Sequence, residues 1–114
     1  HPYAHPTSAG DTKADVYIER IGNRDARADR LVAATSAIAA RVVLVRDQEV
    51  AAIGIPAKGD VSLVGGSAGR LELRGLKRRL AVGEQFNLTL SFERAGVASV
   101  KVFVQPQAVP AAKK

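Results

Sequence analysis

The alternation of Phe86, Leu88, Leu90 and Phe92 with Asn87, Thr89, Ser91 and Glu93 constrains this chain more than any other feature. Successive side chains of a strand point to opposite faces, so this octet has one apolar and one polar face and belongs half-buried in a sheet. After a turn at Ala95 and Gly96, Val100, Val102 and Val104 share a face, with Lys101 opposite and Phe103 an apolar exception beside it. Together the two segments predict a hairpin. Further strands are predicted over 14–20, 30–35, 41–46, 50–53, 60–64 and 70–74. Turn chemistry at Gly22 and Asn23, from Pro56 to Gly59, and at Gly65 and Gly66 punctuates them. Only 33–40 could be read as a helix, and it is too short and too weakly amphipathic to support one. Short strands at this spacing predict an all-β fold, an antiparallel sandwich of the immunoglobulin or cupredoxin kind.

Nothing covalent reinforces such a sandwich. The chain has no cysteine, which excludes disulfides, thiolate metal sites and a cysteine nucleophile. Cohesion must come from one packed core, for which 114 residues with 46% hydrophobic content suffice; a domain of this size buries roughly 65% of its unfolded surface. A single domain is expected over 1–105. Residues 106–114 carry two prolines, small residues and terminal lysines and predict a flexible tail. No apolar run approaches the ~20 residues that cross a bilayer, and the start lacks a signal-peptide pattern. The sequence begins at His1 and contains no methionine, so a processed form is expected, its export signal already removed.

Catalytic signatures are missing. No serine sits in a strand-turn-helix elbow. The glycine-rich segment from Gly65 to Gly69 lacks the Gly-Lys-Ser/Thr ending of a phosphate loop and leads into a strand. Asp60, Glu72 and Glu84 show no acid-base pairing. No catalytic residue and no enzymatic activity are expected.

Charge is the next feature. The formal net charge is +6, and the segment from Gly69 to Leu80, GRLELRGLKRRL, holds much of it. Residues two apart on a strand share a face, so Arg70, Glu72 and Arg74 project together. Such a row reads first as a solvated set of ion pairs, each worth about 0.2–1 kcal/mol. The sharper reading is a surface for anions, membrane headgroups or an acidic protein, built from Arg70, Arg74, Lys77, Arg78 and Arg79. A second group, Arg20, Arg24, Arg27 and Arg30, is interleaved with Glu19, Asp25 and Asp29, which cancel much of its field. Aromatics make up 4% of the chain and none lies in the basic run, so no sequence-specific nucleic acid is expected.

Several segments resemble one known family. HPYAHPTSAG, ADVYIERIGN and ADRLVAATS at the start, IPAKGDVSL over 55–63, and RGLKRRLAVGEQFNLTLSFERAG over 74–96 are similar to the periplasmic copper chaperones written PCu(A)C. Those chaperones help supply the Cu(A) centre of cytochrome oxidase. The last segment matches the family's Gly-Leu-Lys-x-x-Leu-x-x-Gly run and its Leu-Thr-Leu-x-Phe-x-x-Ala-Gly hairpin. The resemblance implies a cupredoxin-like sandwich and a periplasmic location.

The resemblance also implies where copper ligands would stand. The family's ligating histidine of a Val-x-Leu-His segment falls at Val45, and its His-x-Met pair falls at Arg70 and Glu72. Its remaining methionine belongs to a hairpin that is shortened here to DQEVAAIG, where Asp47 and Glu49 are the only carboxylates. A chain without methionine or cysteine offers no soft sulfur for Cu(I). No cofactor is therefore expected, apart from weak copper binding at His1 and His5, the only imidazoles; in an extended strand they lie roughly 13 Å apart. The function this implies is an accessory or interaction module in copper delivery or oxidase assembly, with an assembly factor or a ligand-bearing paralogue as its protein partner. A basic binding module on the same sandwich is the alternative.

Overall fold

The alternation is realised as far as Leu90, with Thr89, Ser91 and Phe92 half-buried. In β9 (Gln85–Phe92), Phe86, Leu88 and Leu90 are buried and Gln85 and Asn87 are exposed. A computed structural model of the protein describes residues 2–106. The other strands are β1 (Pro2–Ala4), β2 (Lys13–Asn23), β3 (Asp29–Thr35), β4 (Ala39–Arg46), β5 (Gln48–Val50), β6 (Ile53–Ile55), β7 (Gly59–Leu63), β8 (Arg70–Leu76) and β10 (Gly96–Val104). Their hydrogen-bonded order is β5-β4-β8-β2-β1-β10-β9-β3-β6, with β7 against β2. All pairs are antiparallel except β1 with β10.

β2 joins the two halves of the structure. Its first residues pair with β8 and its last with β7, with a register shift between Ile18 and Ile21 that lets the strand bend. The folded path encloses one core, to which Val16, Leu71 and Leu73 contribute from one side and Leu31, Leu88 and Val102 from the other. Each of these six is 0% exposed, and burying a side chain of this size contributes about 1.5–3 kcal/mol. No helix among the described residues is long and apolar enough to cross a membrane.

The structure corrects the expected elements at several points. The strand expected over 50–53 is two strands with Ala51 and Ala52 between them. β5 pairs with β4 whereas β6 pairs with β3, so the chain changes sides of the sandwich there. Gly22 and Asn23, expected as a turn, end β2 opposite Asp60 and Gly59. The turn follows, and Asn23 closes it by donating from Nδ2 to the carbonyls of Arg27 (2.9 Å) and Pro56 (3.2 Å). β10 starts at Gly96, four residues before the expected Val100, because the hairpin ladder reaches Gly96 opposite Phe92. The segment 33–40 is strand, turn and strand. Of the expected tail, 107–114 lies outside the described residues, as does His1.

One carboxylate ties the hairpin to its neighbour. Asp29, at the start of β3, is 6% exposed. Its Oδ1 accepts from the amides of Arg30 and Arg94, each at 2.8 Å, and its Oδ2 from that of Ala95 at 3.0 Å. Burial pushes this carboxyl up. The three amide hydrogen bonds and the Arg94 charge outweigh that and hold it below the ordinary carboxylate value. In the sequence it had counted only as one acid among the arginines of that region.

Candidate functional site

The outward faces of β4, β8 and β2 carry the most connected polar group of the described surface. Cross-strand register sets Val45 opposite Arg70, Val43 opposite Glu72 and Arg41 opposite Arg74; on the other side of β8, Glu72 faces Asp15 and Arg74 faces Lys13. The three positions that the resemblance ties to copper, Val45, Arg70 and Glu72, are thereby brought together on one patch. His5 lies just past β1, beyond the extended segment expected to hold both histidines.

An ion-pair chain crosses this patch. Arg70 Nε lies 2.9 Å from Asp15 Oδ1, and Arg70 Nη2 lies 3.9 Å from Glu72 Oε2. Arg74 donates to Glu72 Oε1 at 2.9 Å and reaches Glu49 Oε1 at 3.4 Å. Glu72 is the inner member, its side chain 13% exposed, against 30% for Arg70 and 28% for Arg74. Beneath them Val43 and Val45 are each 5% exposed although they sit on the outward face. Long arginine and glutamate stems therefore cover them, a use of these side chains that adds packing to pairing. The row is more than a set of solvated charges, since its pairs are partly desolvated and roof an apolar floor.

Glycines bracket β8 and bring it close to β4. A Cβ at Gly69, whose φ is +102°, would meet the Val45 carbonyl oxygen at 2.8 Å. At Gly75, φ +67°, it would meet the Ala40 side chain at 2.7 Å. Only glycine allows both the left-handed backbone and the approach.

Beside the ion pairs lies an aromatic group. Tyr3, His5 and Tyr17 have ring centroids 5.4–5.9 Å apart. Phe103 stands opposite Tyr3 in the ladder, which accounts for the apolar exception in that strand. The Tyr17 hydroxyl donates to Asp15 Oδ2 at 3.4 Å; burial first, then the Asp15 charge, push its pKa up. His5 Nδ1 is buried with no hydrogen-bond partner among the described residues.

Solved structures with the same architecture include PCuAC domains. The copper-bound PCuAC domain from PmoF2 superposes with a TM-score of 0.84 at 27% identity, covering 94% of this chain and 90% of that one. The apo PCuAC domain from PmoF1 gives 0.84 at 24% identity over 94% and 91%. The Cu(I) form of DR1885 from Deinococcus radiodurans gives 0.77 at 23% identity over 93% and 76%. No curated protein matches the chain. A family described as "Putative lipoprotein LpqE-like" matches residues 1–104. The chain belongs to the LpqE-like family. Its all-β sandwich is cupredoxin-like, and the resemblance to the PCuAC copper chaperones read from the sequence holds.

The residues of this LpqE-like chain at the three positions where the resemblance would place ligands carry no donor set typical of copper. Val45 has no donor atom, Arg70 is a cation without a free lone pair, and Glu72 is held between two guanidiniums. Glu49, the acid of the short hairpin, is taken up by Arg74, and Asp47 forms the tight turn between β4 and β5 with φ +67°. Among the described residues no group of three or more histidines, aspartates or glutamates could hold a metal.

Sequence reading had singled out Arg70, Arg74, Lys77, Arg78 and Arg79 as a surface. The structure spends Arg70 and Arg74 on the network and pairs Arg78 with Glu84 at 2.9 Å, leaving Lys77 and Arg79 exposed. Asp15, Tyr17 and Glu49 joined the network without having been foreseen there. The alternation in KADVYIE puts Lys13, Asp15 and Tyr17 on one face, but which strand lies beside them is a matter of topology. Two grooves, of about 480 and 600 Å³, lie at the opposite end, around Asn23 and Arg24. They contain none of these residues.

Proposed function

We propose that this chain is an exported, periplasmic domain of PCuAC type whose copper position has been given over to an ion-pair network. It serves copper delivery or oxidase assembly as an accessory or interaction module and is not itself the Cu(I) carrier. The observation that carries this reading is Glu72 clamped by Arg74 and Arg70 on the patch where the resemblance places the ligands. A cation brought there would meet two guanidiniums first, and it would find neither thioether nor imidazole, the donors that Cu(I) prefers. The family match and the likeness to PCuAC domains support a non-enzymatic role. Its protein partner on this reading is a ligand-bearing relative or an oxidase assembly factor.

The test is a titration of the purified chain with Cu(I) and, separately, Cu(II) against a competing chelator. The expected result is no tight Cu(I) binding, with at most weak Cu(II) binding that disappears on changing His1 or His5 to alanine. Tight Cu(I) binding would overturn the proposal and restore the carrier reading.

A further inference from the structure

A row of like charges crosses the sheet. Arg41, Arg74 and Lys13 stand directly opposite one another across β4, β8 and β2. Like charges in register destabilise a sheet, and the row spans about 10 Å, twice the spacing between strands. Arg74 is neutralised by Glu72 and Glu49. Arg41 and Lys13 are exposed and have no ion-pair partner among the described residues.

The loop that follows β8 extends the row. Lys77 and Arg79 are exposed; neither forms a close ion pair among the described residues, although the Arg79 charge acts on Glu84. The loop is held in place: the Leu76 amide donates to the Thr12 carbonyl at 3.0 Å and the Lys77 amide to that of Ile38 at 2.9 Å. Leu80 is 0% exposed, with its amide on Thr7 Oγ1 at 2.9 Å. Two residues further on, Val82 is 56% exposed. Of the nearby acids, Asp11 accepts from the Ser8 amide at 2.8 Å and keeps its charge, and Glu84 holds Arg78 and lies in the field of Arg79. Lys13, Arg41 and Lys77, without an ion-pair partner among the described residues, thus share one end of the sandwich with Arg79, which lies in the field of Glu84, and with one bare valine.

We propose that this end, Lys13, Arg41, Lys77, Arg79 and Val82, is a docking surface for an anionic phospholipid bilayer. Cations spread over a strand face and a rigid loop fit an extended field of phosphates better than a single small anion. The exposed valine gives the apolar contact that a headgroup region accepts and a soluble acidic peptide does not require. A lipid chain alone anchors a protein only marginally, whereas a chain with a basic patch anchors it firmly, and the family is described as a lipoprotein. The inference rests on the exported setting proposed above and not on the fate of the copper site, so the copper titration and the vesicle test can fail independently.

The experiment is sedimentation of the chain with phosphatidylcholine vesicles and with mixed phosphatidylcholine–phosphatidylglycerol vesicles at rising salt. Binding to the mixed vesicles alone, falling with salt, is expected. Each basic residue at such a surface is worth roughly a five-fold gain in binding. Lys13→Glu with Arg41→Glu should therefore lower the partition at least about 25-fold, and the milder Lys13→Gln with Arg41→Gln should lower it by a smaller factor with the melting temperature retained. Arg24→Glu with Lys58→Glu, the same change of net charge at the other end, should leave most of the binding. Equal loss in that control would show that net charge alone acts and would overturn the assignment. No binding of the parent chain to the mixed vesicles would overturn it too, as would displacement by inorganic phosphate at constant ionic strength.

Discussion

Arg74 and Glu72 lie two residues apart on one strand, and both Nε and Nη2 of the arginine sit 2.9 Å from the same carboxylate oxygen, Oε1. Across from them on β4 stand the buried Val43, opposite Glu72, and the exposed Arg41, opposite Arg74. The pair forms a polar lid on an apolar floor.

Removing that carboxylate should therefore cost more than an exposed ion pair does. Glu72→Ala leaves two partly buried guanidiniums facing each other, and a loss of about 1.5–3 kcal/mol is expected. By contrast, Arg30→Ala, which breaks the exposed Arg30–Glu93 pair of 2.6 Å, should cost under about 1 kcal/mol. Chemical denaturation of both variants measures the difference, and equal small losses would reduce the network to solvated surface.

The acid limb of stability should depend on Asp29. Its folded carboxyl lies below its unfolded value, as do those of Glu84, held first by the Ala81 amide, and Glu93, held first by the Arg30 guanidinium. A depressed carboxylate contributes stability that is complete above its unfolded pKa, about 4, and is lost as pH falls through the lower folded value. Melting temperature followed downward from pH 6 should fall below pH 4, and Asp29→Asn should lower the plateau and flatten the fall. An unchanged acid slope in that variant would mean that other carboxylates dominate.

Gly69 is expected to be intolerant of any side chain. Gly69→Ala places a methyl 2.8 Å from the Val45 carbonyl with the backbone in a left-handed conformation. Strain of this kind costs about 1–3 kcal/mol. Gly83→Ala, whose φ is also positive but whose Cβ meets nothing within 4 Å, should cost less. A Gly69 variant as stable as its Gly83 counterpart would show that β8 and β4 can move apart.

Copper affinity should be recoverable. Val45→His, Arg70→His and Glu72→Met together place two imidazoles and a thioether on adjacent cross-strand positions. The triple variant should acquire Cu(I) affinity absent from the parent, read against a chelator. Failure in a folded triple variant would mean that the alignment of the ligand positions is displaced.

Much of the fold was legible in the sequence because a half-buried strand writes its burial directly into a period of two. Phe86 to Phe92 and Val100 to Val104 needed no tertiary information to be read as a hairpin. The division between β5 and β6 was not legible, since a short apolar run looks the same whether it pairs with one neighbour or changes partners midway. The acidic members of the network show the same limit. Arg70, Glu72 and Arg74 announce their shared face by spacing alone, but Asp15 is 55 residues from Arg70 and Glu49 is 25 from Arg74. Only the strand order β5-β4-β8-β2 brings them within reach.

The sequence by itself determined the all-β class and the absence of thiol and thioether donors. Those are properties of residue type and of local period. The tertiary structure decided which arginines are spent on carboxylates and which remain free, because pairing depends on register between strands distant in the chain. Arg74 and Lys13 carry the same charge and stand opposite each other. The arginine is neutralised because Glu72 and Glu49 lie on its side of the sheet, and the lysine at the edge of that network is left exposed.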